Sequence, residues 1–146
     1  MKNSSIRVID RRSESIRYLD VHPVLPENSP PELKDSYDSL LAPLLLNSAL
    51  AALRTQPADA STTLKNTTRA LDRLELSNAD KAKALYRRAL AEVILKEEDE
   101  AEADLVAASQ FAPEDTAISS KLKEVRDEKK KKREREKKAF KKLFSS

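Results

Sequence analysis

Apolar residues recur at helical spacing through much of the chain, and the pattern is clearest between Ala82 and Asp115. Two runs in that stretch keep the period of an amphipathic helix, the first with Leu85, Ala89, Val93 and Leu95 and the second with Ala101, Leu105 and Ala108. Acidic residues 97–99 separate the runs, where a short turn fits. Pro113 ends the second run because proline cannot continue a helix. The stretch therefore predicts a helical hairpin.

This hairpin has the small residues of a known repeat. Counted from Ala82, alanine or leucine stands at positions 8, 20, 24 and 27, and proline at position 32. The spacing resembles one tetratricopeptide repeat of 34 residues. Such a hairpin cannot bury its apolar face alone, so the resemblance implies neighbouring repeats.

The preceding residues predict a second hairpin. Residues 33–54 keep a helical period, with Leu41, Leu45, Ala49, Ala52 and Leu53 on it, Pro43 near the front and Asn47 interrupting an apolar run. Residues 56–61 predict a connection, 62–76 a second helix weakened by four threonines, and 77–80 a cap for the next helix. Residues 42–81 therefore align as a repeat before that of residues 82–115.

The expected fold is all-α, with about two tetratricopeptide-repeat hairpins, part of a first repeat and a long C-terminal capping helix. Its segments are an unmatched segment at 1–14, a partial repeat at 15–20, a Pro-rich loop at 21–32, repeats at 42–81 and 82–115, a capping helix at 116–128 and a basic helical tail at 129–146. Residues 15–128 together form the predicted repeat domain.

Composition removes several classes of chemistry. The chain of 146 residues has no glycine, no cysteine and one histidine, His22, in the Pro-rich loop. Phosphate loops need glycine, and thiolate catalysis and common zinc sites need cysteine or several histidines, so no cofactor or metal is expected. No apolar run approaches the length of a membrane span, and the start lacks a signal-peptide core. We expect a cytoplasmic helical protein.

The positive charge is concentrated at the end of the chain. Residues 116–146 hold 13 Lys or Arg against five Asp or Glu, a net charge of +8, although the whole chain carries only +3. A basic helix ending in Phe140, Leu143 and Phe144 is most often simply solvated. It is also compatible with binding calmodulin, an anionic membrane or nucleic acid, of which nucleic acid is the least expected.

Several segments together resemble the C-terminal tetratricopeptide domain of cyclophilin-40-type peptidyl-prolyl isomerases, the fungal members in particular. These segments read YLDVHPVLPENSPPELKDSY, LLAPLLLNSALAAL, KALYRRA, LKEEDEAEADL, APEDTAI and KKAFKKLF. The resemblance covers residues 15–144 and includes no cyclophilin barrel. Since the family's catalytic residues lie in that barrel, the resemblance implies that this chain is not itself an enzyme.

The resemblance also implies a binding function, in which the concave face of the repeats holds the acidic C-terminal tail of heat-shock protein 90, or of the 70-kDa heat-shock chaperone. Polar side chains called a carboxylate clamp grip the tail, and Asn47, Lys83 and Arg87 match three of them. Lys83 and Arg87 are four residues apart on one helix face, while Asn47 and Arg87 share position 6 of successive repeats. Two clamp positions of the first repeat have no counterpart, so the clamp is partial.

Other interpretations of these residues remain open. Asn47 also suits a surface turn or a satisfied core amide, and the pair of Lys83 and Arg87 also suits a plain solvated helix face. The acidic residues 97–102 lack the glycine and alternating ligands of a calcium loop and predict a solvated helix end. The rival functions are a nucleic-acid- or calmodulin-binding protein acting through its tail, and a poorly functional truncated isomerase product.

Overall fold

The computed structural model describes residues 25–145, and this range is all-α, as the apolar pattern predicts. Five helices follow one another, namely α1 (Pro31–Leu53), α2 (Ala60–Arg73), α3 (Asn78–Ile94), α4 (Glu98–Phe111) and α5 (Thr116–Phe144). Each helix packs against the next and α1 also contacts α3, so two successive hairpins are followed by α5. The predictions for residues 1–24, including the partial repeat and His22, lie outside the described residues.

The start of α2 is set by Asp59. Its two carboxylate oxygens accept hydrogen bonds from the backbone N–H and the hydroxyl of Thr62, at 2.9 and 2.6 Å. These bonds also lower the pKa of Asp59. The predicted bounds of 62–76 are wrong at both ends, because the cap lies at Asp59 and Leu74 already has extended backbone. At α3 the predicted cap is confirmed, since the Ser77 hydroxyl accepts from the N–H of Asp80 at 3.2 Å.

The turn between α3 and α4 is shorter than the acidic residues 97–99 predict, because α4 already begins at Glu98. Glu97 N donates to Glu92 O at 2.8 Å and Lys96 N to Val93 O at 3.1 Å, the two hydrogen bonds of a Schellman motif. Lys96 has φ 66°, a left-handed conformation that glycine usually supplies. The prediction that Leu95 lies on the apolar face of α3 is wrong. Leu95 is 43% exposed, because the helix ends at Ile94.

Small residues bring the helices of the second hairpin close together. Ala89, Ala101 and Ala108 have no exposed surface, and Leu105 is buried beside them, as the repeat pattern predicts. Ile118 and Val125 of α5 cover the same cluster. The first hairpin buries another set around Leu41, Leu45, Leu46 and Ala70. Leu71 packs against both clusters, so the apolar interior is continuous.

The contact between α1 and α2 contains buried polar groups. The Thr63 hydroxyl lies 2.9 Å from Asp59 O and 3.2 Å from Ala49 O. Asn66 Nδ2 donates to Ser48 Oγ at 3.0 Å. Two of the four threonines expected to weaken α2, Thr63 and Thr67, are thus buried and donate to backbone carbonyl groups, which offsets the cost of burying their hydroxyls.

Helix α5 is tied to α4 by ion pairs along one side. Arg126 Nε lies 2.8 Å from Glu102, Lys129 Nζ contacts both Glu102 and Asp99, and Lys132 Nζ lies 3.1 Å from Glu98. All residues from 130 to 145 are exposed. The first half of α5 therefore caps the hairpins, and its second half extends beyond them. Across residues 25–145, none of the helices has the length and apolarity to cross a membrane.

Candidate functional site

A groove of about 640 Å³ runs between α1 and α3 and is closed at its base by the link from α2 to α3. All three predicted clamp residues, Asn47, Lys83 and Arg87, line it. Asn47 comes from α1 and the two cations come from α3, which agrees with their equivalent places in successive hairpins. Leu46, Pro43 and Leu76 contribute apolar surface to the same groove.

Arg87 is the most firmly held of the three. Its guanidinium is half-buried, and Nη1 donates a hydrogen bond to the backbone oxygen of Leu46 at 2.7 Å. This contact ties the side chain across the groove to α1. Burial lowers the pKa of Arg87, the nearby Arg54 adds to this effect and Asp80 opposes it. An arginine remains charged at neutral pH, and four of its five N–H donors are not used by Leu46.

Lys83 lies one helical turn before Arg87 and points towards solvent. Its side chain is 58% exposed, and its ammonium lies 3.8 Å from the carboxylate of Asp80. An exposed ion pair at that distance contributes little stability and exchanges readily for another anion. Asn47 is also exposed, immediately after Leu46 in α1. The groove therefore presents an ammonium, a guanidinium and an amide at one end.

The other end of the groove is acidic, which the sequence reasoning missed. Asp35, Asp38 and Glu75 line that end, whereas Asp80 lies beside Lys83 and pairs with it. Asp38 is buried and accepts a hydrogen bond from the Glu75 N–H at 3.2 Å, so it fixes the link after α2. The spacing of Asp80 and Lys83 on one helix could have revealed that pair. The approach of α1 to the α2–α3 link has no local sequence signal.

A second polar cluster lies inside the hairpin of α3 and α4. Arg88 forms a two-point ion pair with Asp104, with Nε to Oδ2 at 2.5 Å and Nη2 to Oδ1 at 2.8 Å. Glu92 is buried beside this pair, and its Oε2 has no hydrogen-bond partner within the described part of the chain. Burial raises the pKa of Glu92 to about 7, and Asp104 reinforces that shift while Arg88 opposes it.

The described residues offer no metal-binding chemistry, because no group of three or more His, Cys, Asp or Glu side chains among residues 25–145 could hold an ion. In the groove, the charges of Lys83 and Arg87 and the amide of Asn47 are suited to recognising an anion.

No protein-family model matches the chain. Curated relatives do match it, and several carry the name peptidyl-prolyl cis-trans isomerase D. The protein of Cryptococcus neoformans var. neoformans serotype D is 46% identical over 138 residues, which is 93% of this chain and 37% of the relative. That of Mycosarcoma maydis is 35% identical over 150 residues, covering 94% and 38%.

A third relative of that name, from Kluyveromyces lactis, is 38% identical over 120 residues, which is 82% of this chain and 32% of the relative. The chain thus spans between about a third and two fifths of the length of these relatives. The matches and the paired helices agree with the resemblance to the helical domain of cyclophilin-40-type proteins. The chain belongs to the peptidyl-prolyl cis-trans isomerase D family, of whose members it matches about a third to two fifths.

Proposed function

We propose that the groove between α1 and α3 binds a peptide by its C-terminal carboxylate, and that the acidic tail of heat-shock protein 90 is its ligand. Family resemblance supplies the identity of the tail. The chemistry of the groove supports the mode of binding, because the cationic end can give one carboxylate several charge-assisted hydrogen bonds. The chain would then act as a co-chaperone module, either as part of a longer isomerase or as a separate protein that works alongside one.

The observation that carries this proposal is the position of Arg87. A guanidinium that is half-buried and already bonded to Leu46 O has lost most of its rotamer freedom before a ligand arrives. Its planar N–H groups match the two oxygens of a carboxylate, and Lys83 adds a mobile charge beside it. Asn47 contributes a neutral amide donor. Together they favour a carboxylate over a neutral chain end.

Single substitutions test these roles by calorimetric titration with the pentapeptide Met-Glu-Glu-Val-Asp. We expect Arg87→Ala to cost about 1.5–3 kcal/mol of binding free energy, Lys83→Ala a similar amount and Asn47→Ala less. Arg87→Lys should not restore affinity, because an ammonium lacks the two-point geometry. Arg73→Ala is the matched control, since Arg73 is exposed and does not line this groove.

The same titrations can contradict the proposal. Equal losses for Arg73→Ala and Arg87→Ala would mean that the peptide responds to overall charge and has no clamp. Because Arg87 also bonds to Leu46, each variant needs a thermal melt to show that it remains folded at the temperature of the titration.

We also propose that this chain has no isomerase activity of its own. The activity in the relatives' name belongs to proteins more than twice as long as the segment matched here. Nothing in the groove suggests a way to twist a prolyl peptide bond. In a proline-peptide isomerisation assay, the purified chain should not raise the rate above the uncatalysed value, and a rate proportional to its concentration would contradict this.

Binding of nucleic acid through the tail is less well supported. Arg126, Lys129 and Lys132 already pair with carboxylates of α4, which reduces the charge available to phosphates. Calmodulin binding by the tail and a cytoplasmic location stay predictions.

A further inference from the structure

The end of α5 carries an apolar cluster that the peptide groove does not use. Phe140, Leu143 and Phe144 are 65%, 76% and 76% exposed. Their spacing of three and four places them on one face of the last turn. The rings of Phe140 and Phe144 lie 4.6 Å apart between centroids. Together the three side chains form a contiguous apolar patch that faces water, a kind of surface at which proteins bind partners or membranes.

This cluster stands well away from the helical hairpins. The last ion pair between α5 and α4 joins Lys132 to Glu98, and every residue from 133 to 144 is exposed. A helix rises about 1.5 Å per residue, so the tip lies roughly 18 Å beyond that ion pair. The cluster can therefore reach a large surface while the peptide groove stays open.

Basic residues flank the apolar tip along the chain. Residues 133–144 contain six Lys or Arg and two Glu, a net charge of +4. Lys137, Lys138, Lys141 and Lys142 flank the two phenylalanines along the chain. A short apolar face with lysines beside it complements a surface that is anionic outside and apolar beneath, which describes the headgroup region of an anionic bilayer.

A protein groove suits the tip less well. A helix bound in such a groove uses apolar anchors over two or more turns. Here the positions that would continue the face one or two turns earlier are Arg133, Glu136 and Lys137, all charged. Nucleic acid would use the lysines and would not require an apolar cluster. Because the apolar side chains are limited to the last turn, α5 is suited to shallow insertion of its end into the headgroup region of a bilayer.

We propose that the end of α5 binds an anionic lipid surface. Phe140, Leu143 and Phe144 enter the region between the headgroups, and the flanking lysines contact the anionic groups of the lipids. The contact is peripheral, because the rest of α5 is highly charged. It does not rest on the peptide-binding function, since its residues lie outside that groove.

The absence of tryptophan from the chain allows a direct test. In Phe144→Trp the introduced indole reports its own surroundings, and Leu40→Trp is the matched control because Leu40 is 71% exposed on α1. Each protein is mixed with vesicles of phosphatidylcholine alone or of phosphatidylcholine and phosphatidylserine in equal parts. We expect a blue shift of emission only for Phe144→Trp and only with phosphatidylserine, weakened by added salt.

Sedimentation with the same vesicles tests the apolar contribution. Replacing Phe140, Leu143 and Phe144 together by alanine keeps every charge and should weaken vesicle binding about tenfold or more. Replacing the exposed Leu33, Leu40 and Leu95 by alanine is the matched control and should leave binding unchanged.

Three results would overturn the proposal. Vesicle binding that survives the tip substitutions would show adsorption by charge alone. A blue shift that depends on protein concentration without vesicles would show that a second copy covers the tip. A blue shift with calcium-loaded calmodulin and none with phosphatidylserine vesicles would assign the tip to a protein groove.

Discussion

Glu92 is buried in the hairpin of α3 and α4 with one carboxylate oxygen unbonded, and burial raises its pKa to about 7. Because this value lies above the unfolded value of 4.5, the folded state favours the protonated form. The contribution of Glu92 to stability is therefore complete below pH 4.5 and is lost as the pH rises through about 7.

We expect the native chain to lose roughly 2–3 kcal/mol of unfolding free energy from this group between acidic and neutral pH. Glu92→Gln should remove that part of the pH dependence and stabilise the protein at pH 8, since the amide is neutral throughout. Glu114→Gln is a matched control, because Glu114 is exposed and is not among the charges that shift the pKa of Glu92. Parallel pH profiles for the native chain and Glu92→Gln in urea unfolding would contradict this account.

The three predicted clamp residues show which features of a candidate site can be predicted from the sequence. The pairing of Lys83 with Arg87 follows from helical spacing, and Asn47 was placed beside them by repeat register alone. The contact from Arg87 to Leu46 O and the neighbouring Arg54 could not be predicted in this way. Both depend on the distance between α1 and α3, which no local pattern specifies.

The ends of the helices are set by capping residues and turns more than by the apolar pattern. The all-α fold and the hairpin of α3 and α4 could be predicted from the sequence, because alanines at fixed intervals mark the positions where two helices pack closely. The bounds of α2 could not be predicted in the same way. The cap at Asp59 places the start of the helix earlier than its apolar pattern does, and leucines continue in the sequence beyond the end of the helix at Arg73. Leu95 was misplaced for a related reason, since the chain turns at Lys96.

Lys96 provides a test of how that turn is made. A residue with a Cβ in the left-handed conformation costs about 1 kcal/mol or more relative to glycine. Lys96→Gly should therefore raise the unfolding free energy by up to about 1 kcal/mol. Lys96→Ala, which keeps the Cβ, should give no such gain. Chemical denaturation that ranks alanine equal to or above glycine would contradict the role assigned to the turn.

Across the whole molecule, the positive charge of α5 falls into a paired and an unpaired half. Carboxylates of α4 neutralise the first half of the basic helix, while the second half of α5 keeps its charge around an apolar tip. The groove between α1 and α3 is also divided, with Lys83 and Arg87 at one end, where Asp80 pairs with Lys83, and the other three carboxylates at the opposite end. A bound acidic tail should therefore crowd its charges near Arg87 and Lys83, and its affinity should fall as salt is added.

Recognition of a C-terminal carboxylate by the groove can be measured by calorimetric titration of the folded chain with the free-acid pentapeptide and with its C-terminally amidated form. We expect measurable binding of the free acid, which amidation abolishes and which alanine at Phe140, Leu143 and Phe144 leaves unchanged. Equal affinity for the acid and the amide would contradict it.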